Sequence, residues 1–541
     1  MPSAAVLGPV VIPLLAAAVI AAVGLARFDL GRTAGAGGAW GCVAALLALW
    51  LPVRSSVELI LGQLGYGSAL DLRIDGVTFA FGLMIAVPIA VLLTLQPRAW
   101  PQTALSLLAL AAAMAAVEAG GVVLTAIAGG TVATLAVVML ETEDPRAPRP
   151  SWALLLAGWL GVAWVGVILQ VVGGTAVYTA VPVAAITGPV FAVLAASAVI
   201  ASCLFPWRTW LAVLWRRPSL RAAAVTIATV YPLGFYLLIR AYELGDGRYP
   251  HPLFNVGLAV LGIAAAFAAA ARAQAAATRR EFFGEVIPGF GGFALTAIAI
   301  GTPLGLVAGL ILLATASALV ACLALLPDRA GIASVVAVAA AVGLPPGLAF
   351  GARVVGVEAT FEAGDFLGLI GVASAAAWAT WMVAGARAIG LPGGRGRPAS
   401  ETFAGVAMLI ATLTLVAGPA LAVIQFGMAN PVAAEVMQAT AGTLTGGRVA
   451  VVTLFVPLLL IGVVIYALTD ISAIRTQARP AIFRIPAAAS LERFRAAVRA
   501  ASVPDQYRTI LNLKQLEAAA AGGSPVFWLA ALVALGFAVT R

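Results

Sequence analysis

What constrains this chain most is a succession of long apolar runs that leaves almost no stretch for water. They cover roughly residues 4–26, 34–53, 77–96, 102–117, 120–140, 151–173, 182–205, 221–241, 252–274, 282–300, 303–326, 331–354, 364–386, 402–428, 449–469 and 524–540. One bilayer crossing takes about 20 apolar residues, so the runs predict an all-α, polytopic membrane protein of about sixteen transmembrane helices. Composition agrees: 62% of the 541 residues are hydrophobic and 10% are charged, against about a quarter charged in soluble domains. A water-soluble globular fold is excluded, and no stretch between runs is long enough for a separate soluble domain. The first run is too long for the apolar part of a signal peptide and lacks a basic start, so it reads as a mature span.

The 31 Lys and Arg exceed the 22 Asp and Glu, which in such a chain is an orientation signal and not an affinity for nucleic acid. Numbering the loops along the runs puts roughly three quarters of the basic residues on the odd-numbered loops. The positive-inside rule then places both termini on the outer, periplasmic side of a bacterial inner membrane. All of these cations are arginine except Lys514, and the sole histidine is His251; both lie outside the runs. Arginine stays protonated in proteins, so basic groups that could hand protons on are almost missing. Cys42, Cys203 and Cys322 are isolated in apolar runs, and no ligand set for a metal, iron–sulfur cluster or other cofactor is present.

One segment stands apart. Residues 471–523 include Leu491, Phe494 and Val498 beside Arg493, Arg495 and Arg499, the pattern of an amphipathic helix lying in the membrane interface. A solvated linker is the plain alternative.

The middle of the chain has five landmarks in order: FPWRTWLAVLW (Phe205 to Trp215), GFYLLIR (Gly234 to Arg240), ATRREFFGEVIPGFGG (Ala277 to Gly292), GTPLGLVAGLILLATASALV (Gly301 to Val320) and VGLPPGLAFGAR (Val342 to Arg353). This order resembles the antiporter-like membrane subunits of respiratory complex I, which are related to Mrp-type antiporters and hydrogenase-4 type subunits. The corresponding pieces there are an FPFHxWLP-like turn, a GxYLLxR helix end, a DIKRxLAYSS segment, a His- and Lys-bearing GTxxGL helix and a GLPPxxGFxxK segment. The Ile74, Asp75, Gly76 stretch echoes a further FDVDG-like element. The resemblance covers roughly 70–390. It implies two inverted five-helix repeats with broken helices at Pro206, Pro232, Pro345 and Pro346, and a midplane chain of charged residues that moves protons. The implied division is 1–100 flanking helices, 101–241 first repeat, 252–390 second repeat, 402–470 further flanking helices, 471–523 a lateral amphipathic segment and 524–541 a final span.

Carried across position by position, the family's working residues are missing. Its lysine before the FPFH turn falls at Ala201, its fifth-helix acid near Ala128, and the eighth-helix titratable group near Thr226 or Pro232. Its later histidines and lysine fall at Leu312, Ala316 and Val320. Only Arg353 keeps a charge, at the position after GLPP.

Three remaining charges are candidates for an ion path or gate. Glu285 is an intramembrane acid by position, with pairing to the arginines Arg279 and Arg280 as the structural explanation. Glu118 lies between two runs, where a short exposed turn would account for it. Arg353 follows two prolines that free backbone carbonyls, so it would satisfy those carbonyls or pair with Glu358, or else gate an anion or proton. Glu141, Glu143 and Asp144 with Arg146 and Arg149 read as a solvated turn. Gly35, Gly37, Gly38 and Gly41 read as close helix packing and not as a nucleotide loop.

Two functions are open at this point. One is a structural or coupling subunit of a complex I-related assembly, with other membrane and peripheral subunits and the bilayer as partners and no redox centre of its own. The other is transport of an ion or of inorganic carbon along a non-standard path. A stand-alone redox enzyme is disfavoured by the lack of cofactor ligands.

Overall fold

The computed structural model describes residues 5–437 except 28–30, 54, 66–67, 97–98, 147–151, 216, 218, 328–330, 393–400 and 418–423. The expected spans at 449–469 and 524–540 and the amphipathic segment 471–523 lie outside the described residues.

Helices α1 (Gly8–Leu25) and α2 (Gly31–Val53) precede a β-hairpin, β1 (Val57–Gly65) and β2 (Ser68–Ile74). Then follow α3 (Gly76–Leu95), α4 (Trp100–Glu118), α5 (Val122–Glu143), α6 (Trp152–Gly173), α7 (Gly188–Ala201), α8 (Thr209–Trp215), α9 (Arg221–Leu244) and α10 (Pro252–Ala275). The later elements are α11 (Arg279–Ala299), α12 (Pro303–Leu325), α13 (Ile332–Val342), α14 (Leu348–Glu362), α15 (Asp365–Gly390), α16 (Glu401–Val416) and α17 (Asn430–Met437). Among the described residues, 11 helices are long and apolar enough to cross a bilayer. The chain is a multi-pass membrane protein. Its centre is α9 and α11, each buried through an 18-residue stretch by the other helices.

The run 182–205 yields α7, which ends at Ala201, and a non-helical link containing Pro206 follows before the short α8; the run 331–354, expected as one helix, is split at Gly343–Gly347 into α13 and α14. Each link holds an X-Pro bond in cis, Phe205–Pro206 and Pro345–Pro346. Pro232 does not act as a break: α9 runs through it without interruption. The hairpin was not expected. Its strands pair antiparallel with Val57 opposite Ile74 and Ile60 opposite Asp71, and Leu72–Ala119 and Gly121–Val177 bridges extend it into the α4–α5 link.

Local signals start the helices as their chemistry requires. Thr302 caps α12 by accepting from Gly305 N at 3.1 Å. At α11, Thr278 accepts from Glu281 N while Glu281 reaches back to Ala277 N at 2.8 Å, a reciprocal cap that satisfies two donors at once. Small residues then bring helices together. A Cβ at Gly35 would stand 2.5 Å from the Thr103 side chain and one at Gly38 2.5 Å from Ala16, so that face of α2 is indeed a packing face, although Gly37 meets nothing within 4 Å. One close crossing is α10 on α11, where a Cβ at Gly292 would lie 2.5 Å from Ala266 N and 2.8 Å from Gly262 O. Backbone cannot yield as a side chain can. Gly292→Val is expected to destabilise by about 1–3 kcal/mol and to lower the thermal midpoint in detergent, whereas Gly257→Val on α10, which meets open space, leaves it nearly unchanged.

Candidate functional site

Buried charge is collected at three places. The largest network joins the hairpin end of the bundle to α9 and α17. Asp75 caps α3, accepting from Thr78 N at 2.8 Å. Arg240 meets the same carboxylate at 2.8 Å and bonds Glu243 at 2.5 Å, Tyr236 Oη at 3.0 Å and Thr78 Oγ1 at 3.1 Å. The Tyr178 and Tyr236 rings stand 5.5 and 5.1 Å from its guanidinium carbon. Arg73 adds pairs to Asp75 and to Glu435, each at 3.0 Å, and Glu435 also accepts from Gly76 N at 2.9 Å. Burial pushes the Asp75 carboxyl upward, but Arg240 and Arg73 outweigh it and hold the group below the usual carboxylate range. Asp75, Glu243 and Glu435 bring three carboxylate oxygens within 4.8 Å of one another. Two guanidiniums, Arg73 and Arg240, pair with these three carboxylates, so the arrangement is a salt-bridged brace.

In the sequence Asp75 stands only in the echo of a motif, Arg240 only at the end of the GFYLLIR landmark, and Arg73 only among the basic residues that bias orientation. A signal was present: Arg240 and Glu243, three residues apart, close an otherwise apolar helix.

The second place is the α7–α8 break. Arg208, two residues after Pro206, pairs with Glu285 of α11. An arginine partner was expected for Glu285 from Arg279 or Arg280; the pair observed is with Arg208, and Arg279 and Arg280 also bond carbonyls. Arg279 donates to Leu391 O at 2.8 Å, and Arg280 donates to Trp215 O at 3.1 Å and to Arg217 O. Arg217 in turn donates to Leu140 O and Asp144 O at 2.6 and 2.9 Å. These carbonyls lie at or just past the C-terminal ends of α15, α8 and α5, where intrahelical donors run out, although Leu140 O also accepts from Asp144 N at 3.3 Å. The expected solvated turn after α5 is partly tied down as well, since Glu143 accepts from Ser219 Oγ at 2.9 Å and Ala222 N at 3.2 Å.

The third place is the α13–α14 break. In a continuous helix the carbonyls of Ala341 and Val342 would accept from residues 345 and 346, which are prolines and have no N–H. Three side chains serve instead. Trp381 Nε1 donates to Ala341 O and Trp378 Nε1 to Val342 O, both at 3.0 Å, while the Arg353 guanidinium bonds Val342 O and reaches Ala341 O at 3.5 Å. Phe290, Phe293 and Trp378 surround that guanidinium at 5.0, 4.6 and 5.6 Å. Of the two structural roles expected for Arg353, carbonyl satisfaction is observed, and no ion pair with Glu358 forms.

For Glu118 the exposed turn is corrected. The side chain is fully enclosed, with neither carboxylate oxygen accepting a hydrogen bond, because the α4–α5 link is covered by the hairpin strand and not open to solvent. Asp71 on that strand is also buried without a donor at either oxygen. Burial and then the nearby Glu58 carboxylate push Asp71 up to about 6. A carboxyl raised in the folded state stabilises most below its unfolded value and loses that contribution as pH rises through the folded one. The thermal midpoint in detergent is therefore expected to fall between about pH 4 and pH 6, and Asp71→Asn to flatten that slope and raise the midpoint at neutral pH.

Breaking the Arg208–Glu285 pair has a separate cost. Glu285→Gln leaves a buried guanidinium unmatched and is expected to lower stability by about 3–5 kcal/mol, read as the thermal midpoint of the purified chain.

No family model matches the chain, and no curated protein matches it in sequence. Solved structures do. A chain of the Mrp complex from Dietzia sp. DQ12-45-1b superposes with a TM-score of 0.72 at 20% identity over 98% of this chain, which spans 63% of that chain's length. Respiratory complex I from Thermus thermophilus with bound NADH contributes a chain at TM-score 0.64 and 21% identity, covering 82% of this chain and 100% of the other. The same complex with bound aureothin gives 0.60 at 16%, covering 77% and 98%. The all-α, polytopic fold expected from the five landmarks is therefore the fold observed, shared with chains of an Mrp complex and of respiratory complex I.

Proposed function

We propose that this chain is an antiporter-like integral membrane subunit of a complex I-related, ion-translocating assembly, NADH-quinone oxidoreductase-like or hydrogenase-4 type, in which it has a structural or coupling role. Its place is a bacterial inner membrane with both termini outside, and its partners are the other membrane and peripheral subunits that hold the redox centres. The two repeats at 101–241 and 252–390 belong to the same reading.

The observation that carries it is what fills the relay positions implied by the resemblance. Ala201, Leu312, Ala316, Val320 and Thr226 are all buried in the packed interior, and none can accept and release a proton. An apolar interior opposes a crossing charge by several kcal/mol. The charges that do remain are committed: Arg208 to Glu285, Arg240 to Asp75 and Glu243, Arg353 to carbonyls and rings.

One observation favours the alternative, an ion or inorganic-carbon carrier with a non-standard path: Glu118 is an enclosed acid with no hydrogen-bond partner, and an intramembrane carboxyl is by default a functional candidate. Reconstitution separates the two. The purified chain alone in vesicles is expected to leave an imposed pH gradient standing, and mild-detergent purification from its host to bring down further membrane and iron–sulfur subunits. A gradient that collapses in wild-type vesicles but persists in Glu118→Gln vesicles would overturn the subunit reading in favour of the carrier.

A further inference from the structure

Arg353 is a buried cation whose bonds, among the described residues, go to carbonyls and rings and to no carboxylate. It is 3% exposed, in contrast to Arg208 and Arg240, each of which is paired. Its solvation comes from two backbone carbonyls and three aromatic rings, a set that suits a delocalised, weakly hydrated cation. Those groups are supplied by α11, α13 and α15 and none by its own helix α14. Trp378 and Trp381 hold the same two carbonyls independently, so the box is assembled whether or not a guanidinium sits in it. Gly343 completes it. Its φ of +73° lies in the left-handed region, and a Cβ there would stand 2.6 Å from the Arg353 NH1 atom, so only glycine lets the guanidinium come so close.

We propose that Arg353 is a resident cation: its guanidinium occupies an aromatic and carbonyl box at the α13–α14 break that accepts guanidinium-like or ammonium-like cations, and its fixed charge bars protons and metal cations from passing there. A helix break frees carbonyls in mid-span, and such carbonyls ordinarily attract cations. A fixed positive group placed among them repels any second one, as arginines and positive dipole ends do in selective pores. The inference rests on the subunit reading in one respect, that no proton relay runs through the apolar interior, and it adds a second barrier at a place where a helix break frees carbonyls.

The test uses the full-length chain in vesicles with an imposed potassium diffusion potential and an enclosed pH dye. Arg353→Gln keeps amide donors for the carbonyls and removes the charge; its proton leak is expected to exceed wild type by about tenfold or more. Arg353→Lys keeps the charge and is expected to remain near wild type. Arg353→Ala is expected to leak, and millimolar guanidinium to restore tightness by refilling the box. Folded Arg353→Gln and Arg353→Ala proteins that leak no more than wild type would overturn the proposal, and so would an Arg353→Lys protein as leaky as Arg353→Gln. If the neutral variants fold poorly, recovery of monodisperse Arg353→Ala protein by guanidinium, but not by sodium at equal ionic strength, supports the box, and no recovery overturns it. Wild-type vesicles keep the two readings apart: their own conductance tests the subunit function, and the variant-to-wild-type ratio tests the resident cation.

Discussion

A carbonyl that loses its helical donor inside hydrocarbon has no water to turn to, and much of this molecule is arranged around that fact. Pro345 and Pro346 deprive Ala341 and Val342 of donors, and two tryptophans and an arginine from sequence positions up to forty residues away supply them. The same need recurs at the ends of α5, α8 and α15, where Arg217, Arg280 and Arg279 turn onto the last carbonyls. Arginine suits the task because its planar fork presents five donors and can bridge two acceptors while staying charged. A lysine offers a compact, strongly hydrated ammonium that is harder to strip of water. The near-monopoly of arginine over lysine in this sequence then has a structural reading as well as a topological one: several of the cations that bias orientation also finish helices.

The charged brace at the hairpin end follows a different logic. Asp75, Arg240, Glu243, Arg73 and Glu435 each satisfy more than one neighbour, which is the condition under which buried ion pairs hold without a net penalty. Its acids and bases alternate around α3's first turn, and the negative side chains also face the positive end of that helix. Just beside it, Asp71 and Glu118 lack such partners. The contrast spans only four residues, since Asp71 sits on β2 and Asp75 just past its end at the cap of α3.

Apolar length made the membrane class and most helices legible, and paired prolines made the α13–α14 break foreseeable in place if not in form. The hairpin was hidden because Val57–Ile74 is short and its alternation is interrupted by Gly62, Gly65 and irregular pairing at Ile60/Gly62. Side-chain partners were least legible. Glu285 has two arginines one or two turns away on its own helix, yet it pairs with Arg208, 77 residues earlier, since a local pattern cannot tell which neighbouring cation is already used on a carbonyl. Glu118 was misplaced for a similar reason: the residues after it look like a turn, and only the strand laid across them takes them out of water.

The bond from Glu435 to Gly76 N closes a loop of 359 residues. Chains of this kind emerge from the ribosome with their early segments first, so Arg73, Asp75 and the open end of α3 enter the bilayer long before the residue that completes their set. Until α17 arrives, the start of α3 is held by an incomplete set of charges, so the third helix is secured only by one made more than three hundred residues later.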